Sequence, residues 1–230
     1  MFGSPSENSA EQIGRSYPQQ RRIGTVCVFG GAMPGNDPAY AHGATILGEA
    51  IAAAGIRLVY GGGCGGLMGQ VALAATQRGG TVIGITPQFL IERMGMQPEG
   101  CQTISVPDLG IRKQLMFDYA DAFIALPGGI GTIEELTEVM TLRKLERHYK
   151  PLVLANFKDY WSPLLGVFDS MADAGFMSAR HMHLVSASAE AILPLLQRGV
   201  NFEQSEPPKS VMLPAIPILR RSHAAGAAAG

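Results

Sequence analysis

The chain has 230 residues, 47% of them hydrophobic and 16% charged, which is enough for one sizeable globular domain. Its 18 Lys and Arg residues nearly balance its 19 Asp and Glu residues, so the formal net charge is −1, and no long basic run occurs. This balance argues against a nucleic-acid polymer or an anionic membrane as a partner.

The cysteines and the two chain ends indicate a cytoplasmic protein with one folded unit. The three cysteines form no CxxC pair and cannot all be disulfide-bonded, which favours a reducing compartment. Residues 1–20 are polar and lack the apolar core of a secretory signal, and no apolar stretch is long enough to span a membrane. We predict a flexible extension over 1–20, one domain over 21–200 and a mobile Pro-, Ala- and Gly-rich tail over 201–230.

Strand and helix patterns alternate along the chain. The sequence predicts, in order, strand 23–29, helix 39–54, strand 56–60, helix 67–78, strand 81–85, strand 103–106, helix 108–119, strand 122–126, helix 132–149, strand 152–155, helix 161–174 and helix 187–197. The strands are continuous apolar runs, as in a parallel sheet that is covered on both faces. We therefore predict a single-domain, doubly wound, Rossmann-like α/β fold.

A first glycine-rich loop follows the second predicted strand and opens a helix. Such a position lets backbone N–H groups and the helix dipole face an anion. The site residues predicted here are Gly61, Gly62, Gly63, Gly66, Met68 and Gly69. No carboxylate follows at 81–87 for a dinucleotide ribose, and no Lys with Ser or Thr follows Gly66 as in a P-loop. The alternative is that these glycines only let a helix and a strand pack closely.

A second glycine-rich loop spans 127–135, with the sequence Pro-Gly-Gly-Ile-Gly-Thr-Ile-Glu-Glu, and it also joins a strand to a helix. Thr132 and Glu135 have the spacing of a capping box, and that structural role alone would account for both side chains. However, a helix start does not require three glycines ahead of its cap. The pattern therefore favours a ligand site over a purely structural loop.

Arg112 and Lys113 lie near the start of the predicted helix 108–119. Cations in a first helical turn oppose the helix dipole at a cost of a few tenths of a kcal/mol. An anionic substrate would compensate for this cost. The alternative is a solvated basic pair beside Asp108.

With these loops and the Arg-Lys pair in place, the chain closely resembles the LOG ("Lonely Guy") family over about residues 24–189. Its members are cytokinin riboside 5′-monophosphate phosphoribohydrolases, labelled possible lysine decarboxylases in older usage. The resemblance implies a purine nucleoside 5′-monophosphate substrate, no cofactor, and a homodimer or larger homo-oligomer. It implies Arg112 and Glu135 as catalytic residues. It also implies that the nucleotide is held by Lys113, Gly129, Ile130, Gly131, Thr132, Glu134 and Thr141. We add Gly128, the glycine that precedes this run, to the predicted binding residues. The preferred base, adenine or N6-prenylated adenine, stays open.

The implied reaction is hydrolysis of an N-glycosidic bond to free base and ribose 5-phosphate. Positive charge develops on the ribose, so an ionised carboxylate near C1′ stabilises the transition state. We predict that Glu135, in the first helical turn, is favoured as that anion and that Arg112 positions it. Glu134 points about 100° away and is expected at the ribose hydroxyls or the solvent rim. The sequence identifies no general acid.

Two other functions remain as alternatives. The same loops would serve a non-catalytic nucleotide or cofactor carrier. A pyridoxal-phosphate lysine decarboxylase needs a Schiff-base lysine, and only Lys113 lies near a phosphate loop. His181 and His183 alternate along an extended segment without a third ligand, so we predict no metal site.

Overall fold

The structure, a computed structural model, describes residues 22–94, 98–177 and 184–202. It has one seven-stranded parallel sheet in the order β4-β3-β2-β1-β5-β6-β7. The strands are β1 (Thr25–Phe29), β2 (Arg57–Tyr60), β3 (Val82–Pro87), β4 (Gln102–Val106), β5 (Ala122–Ala125), β6 (Leu152–Ala155) and β7 (Leu184–Ser186). The predicted doubly wound α/β fold is confirmed.

Helices cover both faces of this sheet. They are α1 (Pro38–Ala53), α2 (Gly66–Gln77), α3 (Gln88–Met94), α4 (Leu109–Tyr119), α5 (Ile130–Lys144), α6 (Ser162–Asp173) and α7 (Ile192–Phe202). Side chains alternate along β1, so Val26 and Val28 join the core under α1, α2 and α7, whereas Cys27 and Phe29 join the core under α4, α5 and α6. Burial on both faces explains why the inner strands β1, β5 and β6 are almost entirely apolar, whereas the edge strand β4 is polar and largely exposed.

The strand order reverses between β1 and β5, because successive strands run outward from β1 on one side and from β5 on the other. Open α/β sheets bind ligands at such a switch point, beyond the carboxyl ends of the strands. The loops that follow β1 and β5 are therefore positioned to form a site. They are joined directly, since the Gly31 N–H donates to the Pro127 carbonyl at 3.0 Å.

Several predicted element bounds are wrong. Helix α5 runs from Ile130 to Lys144 instead of 132–149, because Glu146 adopts a positive φ of 56° and the chain turns back. Helix α7 begins at Ile192 instead of 187, and the sequence did not predict α3 or β7. The predicted extension 1–20, most of the tail over 201–230, and both His181 and His183 lie outside the described residues.

Helices α1 and α2 pack unusually closely at Gly48. A Cβ on this residue would overlap the Val71 carbonyl oxygen and would lie 2.9 Å from Ala74 Cβ. The obstruction is partly backbone, so no rotamer change relieves it. Glycine is required here for packing.

We expect Gly48→Ala to lower the free energy of unfolding by at least about 2 kcal/mol, as overpacked cores do. The matched control is Gly166→Ala in the exposed part of α6, where a Cβ has open space. That variant should gain about 0.5–1 kcal/mol from the better helix propensity of alanine. Urea denaturation measures both, and an equal effect of the two substitutions would contradict close α1–α2 packing.

Candidate active site

A cavity of about 530 Å³ opens beyond the carboxyl ends of β1 and β5. The loop after β1, the start of α2, the second glycine loop, and side chains from α4 and α5 form its wall. The lining residues are Gly30, Gly31, Ala32, Met33, Pro34, Gly35, Asn36, Tyr40, Leu67, Met68, Arg112, Pro127, Gly128, Gly129, Gly131, Thr132, Glu135 and Tyr160. Its volume falls in the range of small-molecule sites.

The first glycine loop packs the start of α2 against the loop after β1. The N–H groups of Leu67 and Met68 donate to the Gly31 carbonyl at 2.9 and 3.3 Å. These two N–H groups therefore do not face an anion, in contrast to the prediction for this loop. Gly66 has a φ of +62°, and a Cβ there would overlap Gly31 and Ala32. Close backbone approach therefore explains this glycine, in line with the alternative given for the loop.

Of the six residues predicted in this first loop, Met68 lines the cavity. Gly61 does not line the cavity but lies next to Arg112, which does: a Cβ on Gly61 would be 3.5 Å from the Arg112 guanidinium. Gly62 and Gly63 are buried, and Gly69 is crowded by the backbone of Cys64. The loop therefore supports the site mainly by placing its neighbours.

The second glycine loop leads into a helix that has no side-chain cap. Its N-cap residue is Gly129, so Thr132 is the third residue of α5, and the predicted capping box is wrong. By contrast, Asp37 caps α1 and Asp108 caps α4. Gly129 and Gly131 line the cavity, so the uncapped N-terminus of α5 opens onto it. Its first N–H groups lack intrahelical partners and can bind an anion.

Packing explains one of the three glycines in this loop and leaves the other two unexplained. A Cβ on Gly128 would overlap the Thr132 side chain and lie 2.8 Å from the Gly31 nitrogen, so packing demands glycine there. At Gly129 and Gly131 a Cβ would meet nothing within 4 Å. Protein packing therefore does not explain these two glycines, and Gly131, which lies inside α5, also disfavours the helix by about 1 kcal/mol relative to alanine.

Arg112 and Glu135 form an ion pair on the wall of the cavity, between α4 and α5. The side chains of Arg112 and Glu135 are 14% and 5% exposed. Asp108 starts α4 by accepting from the Ile111 N–H, which places Arg112 one turn into the helix. The Arg112 Nε is buried without a hydrogen-bond partner among the described residues. The site thus holds a carboxylate that is largely withdrawn from water and has one cationic partner.

The electrostatics of Glu135 differ from the prediction. Glu135 lies in the second turn of α5, not in the first, because the helix starts at Ile130. Burial raises the pKa of the Glu135 carboxyl, while the Arg112 guanidinium acts in the opposite direction. The anion is therefore stabilised chiefly by Arg112 and not by the helix terminus.

Lys113 pairs with α5 instead of facing the cavity. Its Nζ donates to Glu134 and lies 2.8 Å from Glu138, and the hydrogen bond to Glu134 is the main cause of its raised pKa. The sequence predicted only an anionic substrate or solvent as partners of Arg112 and Lys113. In the structure, carboxylates of the chain itself pair with both of these side chains. Ile130, Glu134 and Thr141 are exposed and also lie off the cavity wall, with the Thr141 hydroxyl donating to the Thr137 carbonyl.

The sequence interpretation missed two rim tyrosines. Tyr40 and Tyr160 meet edge to face at 5.7 Å, and both line the cavity. Tyr160 follows β6, and the rule that ligands bind beyond the carboxyl ends of strands would have found it. The sequence interpretation also assigned no site residue to the loop 30–36, yet all seven of its residues line the cavity.

Within residues 22–94, 98–177 and 184–202, no three His, Cys, Asp or Glu side chains form a group that could hold a metal ion. None of the helices in those ranges has the length and hydropathy needed to cross a membrane.

Solved structures share this fold. A molybdenum cofactor binding protein from Rippkaea orientalis aligns with a TM-score of 0.59 at 23% identity, over 77% of this chain and 97% of its own. The Moco carrier protein of Chlamydomonas reinhardtii aligns with a TM-score of 0.60 at 21% identity, over 79% and 99% of the two chains. At such identities the likeness shows the fold alone.

The comparisons with sequences identify the family. A family model described as "Possible lysine decarboxylase" matches residues 68–194. A cytokinin riboside 5′-monophosphate phosphoribohydrolase of Rhodococcoides fascians is 45% identical over 67% of this chain and 78% of its own length. The enzyme LOG1 of Arabidopsis thaliana, which has the same name, is 40% identical over 75% and 82%. The chain therefore belongs to the family of cytokinin riboside 5′-monophosphate phosphoribohydrolases, as its glycine loops and Arg-Lys pair indicate.

Proposed function

We propose that this chain hydrolyses the N-glycosidic bond of a purine riboside 5′-monophosphate, either AMP or a cytokinin-type nucleotide, and releases free base and ribose 5-phosphate. The observation that carries the proposal is the joint placement, on one cavity wall, of an uncapped helix N-terminus and the buried Arg112–Glu135 pair. The first suits a phosphate monoester and the second a sugar that becomes cationic. Relatives at 36–45% identity bear the name of this activity.

In the proposed complex the 5′-phosphate lies at the start of α5. The positive end of the helix dipole and the N–H groups of the first turn favour an anion there. The open space at Gly129 and Gly131 lets the phosphate oxygens approach the backbone without a side chain between them. This requirement explains two glycines that protein packing leaves unexplained.

Glu135 then acts on the ribose. As C1′ loses the base, positive charge grows on the sugar ring, and a nearby carboxylate stabilises that charge more than the neutral ground state. Because Glu135 is buried, its charge is poorly screened by water and its effect on the ring is larger. Arg112 holds the carboxylate in place and keeps it ionised. Since burial also raises the pKa of Glu135, this side chain is able to accept a proton from the attacking water.

The phosphate placement predicts the effect of a single methyl group. We expect Gly131→Ala to fold at least as stably as the wild type, since the new Cβ meets open space, and to raise KM for AMP by about tenfold because the methyl group blocks the phosphate. Steady-state kinetics measure the change, with Gly166→Ala as the control for a helix glycine outside the cavity. An unaltered KM in Gly131→Ala would place the phosphate elsewhere.

The function itself is tested by incubating the purified protein with AMP and with isopentenyladenosine monophosphate side by side. Chromatography then quantifies the free base, and a reducing-sugar assay quantifies ribose 5-phosphate. We expect equimolar release of both products from at least one substrate. The ratio of the two rates identifies the preferred base. Binding of both nucleotides without release would instead support the nucleotide carrier.

Neither alternative function is favoured by the site. Structures named as cofactor carriers share only the fold with this chain. A Schiff-base lysine must react as the neutral amine, yet the carboxylates of Glu134 and Glu138 raise the pKa of Lys113 and keep it charged. The cytoplasmic location and the homodimer or larger assembly stay predictions from the sequence.

A further inference from the structure

The connection between β6 and α6 adopts an unfavourable backbone conformation. Lys158 and Asp159 both have positive φ, 54° and 57°, although neither is glycine. Such left-handed residues cost energy and persist only where the surroundings enforce them. They are the last two residues of a 3₁₀ turn over Phe157–Asp159, which ends beside the cavity at Tyr160.

Buried contacts on both sides hold this turn. The Asn156 side chain accepts from the Trp161 N–H at 2.6 Å, and the Trp161 indole N–H donates to the Ala125 carbonyl at 3.2 Å. Phe157 is buried and packs directly on Gly43 of α1, where even a Cβ would overlap its ring. The turn is thus fixed to β5 and α1, and these contacts determine where the residue that follows it lies.

That residue, Tyr160, reaches the second glycine loop. Its ring packs against Trp161, at a centroid distance of 4.9 Å, and against Tyr40. Its hydroxyl donates to the Gly128 carbonyl at 2.5 Å. In a trans peptide the carbonyl and the following N–H point in opposite directions. Fixing the Gly128 carbonyl toward Tyr160 therefore directs the Gly129 N–H away from Tyr160.

We propose that Tyr160 is a positioning residue for the phosphate: its hydroxyl sets the orientation of the 128–129 peptide, so that the Gly129 N–H joins the N–H groups of the α5 terminus in binding the monoester. The Pro127 carbonyl is held from the other side by the Gly31 N–H, so the loop is fixed at two consecutive carbonyls. This inference rests on the proposed nucleotide site, which it deepens by assigning the phosphate geometry to a side chain that does not contact the reacting atoms.

The test is Tyr160→Phe, which removes the hydroxyl and leaves the ring contacts with Tyr40 and Trp161 in place. Loss of one neutral hydrogen bond corresponds to about a fivefold change in an equilibrium constant. We expect KM for AMP and the inhibition constant of ribose 5-phosphate to rise together by about that factor. The kcat should change by less than about twofold, because the phosphate contact is equally present in ground and transition states. The inhibition constant of free adenine should also change by less than about twofold, because adenine has no phosphate.

Tyr119→Phe on α4 is the control, since Tyr119 packs against the core away from the cavity and its variant should match the wild type. A purely structural role of Tyr160 would weaken adenine and ribose 5-phosphate inhibition alike, and that result overturns the inference. So does unchanged inhibition by ribose 5-phosphate. Calorimetric titration with ribose 5-phosphate separates the positioning role of Tyr160 from the proposed hydrolysis. If the wild type binds ribose 5-phosphate but turns over no nucleotide, the proposed reaction fails. Weaker binding of ribose 5-phosphate by Tyr160→Phe would still support the positioning role in that case.

Discussion

Glu135→Gln should reduce base release from AMP by about 10³-fold while the protein stays folded and still binds the nucleotide. The substitution keeps the size of the side chain and an oxygen that can accept from Arg112, so packing between α4 and α5 is retained. In the proposed reaction it removes both the negative charge that stabilises the cationic sugar and the group that accepts the proton, which together account for a loss of this order. Single-turnover assays measure the rate, and calorimetry measures AMP affinity.

Glu138→Gln is the matched control for this result. Glu138 lies three residues further along the same helix and also pairs with a cation from α4, but its side chain is 45% exposed and lies outside the 530 Å³ cavity. We expect its turnover to stay within about twofold of the wild type, as for a surface ion pair. Near-normal turnover in Glu135→Gln, or an equal loss in both variants, would contradict the role given to Glu135.

The second large effect is expected for Arg112→Met, which leaves a shorter, unbranched apolar side chain and removes the charge. The Glu135 carboxylate then remains buried without a cationic partner, which costs about 3 kcal/mol of stability at neutral pH. Turnover should fall by at least about 10²-fold, because the carboxylate loses its orientation and its pKa rises further. The acidic limb of the pH profile of kcat/KM should move to higher pH.

The sign of the stability effect follows from the same pKa. A carboxyl whose pKa is raised in the folded state stabilises that state below its unfolded pKa and loses this stabilisation as pH rises through the folded value. Arg112→Met should therefore be closer to the wild type in urea denaturation at pH 5 than at pH 8. The double variant Arg112→Met, Glu135→Gln should recover stability at pH 8 but not activity. A pH-independent penalty would mean that the pair contributes packing alone.

The sheet and the general location of the candidate site were predictable, because both depend on local patterns. Buried parallel strands are continuous apolar runs, and glycine-rich loops follow β2 and β5. The short elements α3 and β7 were not predictable, since seven and three residues carry no clear period. The Arg112–Glu135 contact joins residues 23 apart on two helices. Periodicity along one helix carries no information on such a pair.

Two errors at the glycine loops have a common physical origin. The spacing of Thr132 and Glu135 in the sequence matches a capping box, but it does not reveal which residue is the N-cap. In the structure the N-cap is Gly129, whose backbone is extended, and the helix starts two residues earlier than predicted. In the first loop, glycine permits close approach of any group, and here the group is the protein's own backbone at Gly31. Sequence alone does not distinguish a ligand from a neighbouring loop.

The most direct test of the central claim is a crystal structure of the Glu135→Gln variant with AMP bound. The proposed site predicts phosphate oxygens within about 3 Å of the N–H groups at the start of α5, and the anomeric carbon in contact with the side chain at position 135. A phosphate bound away from that helix, or a side chain at 135 turned from the ribose, would contradict it.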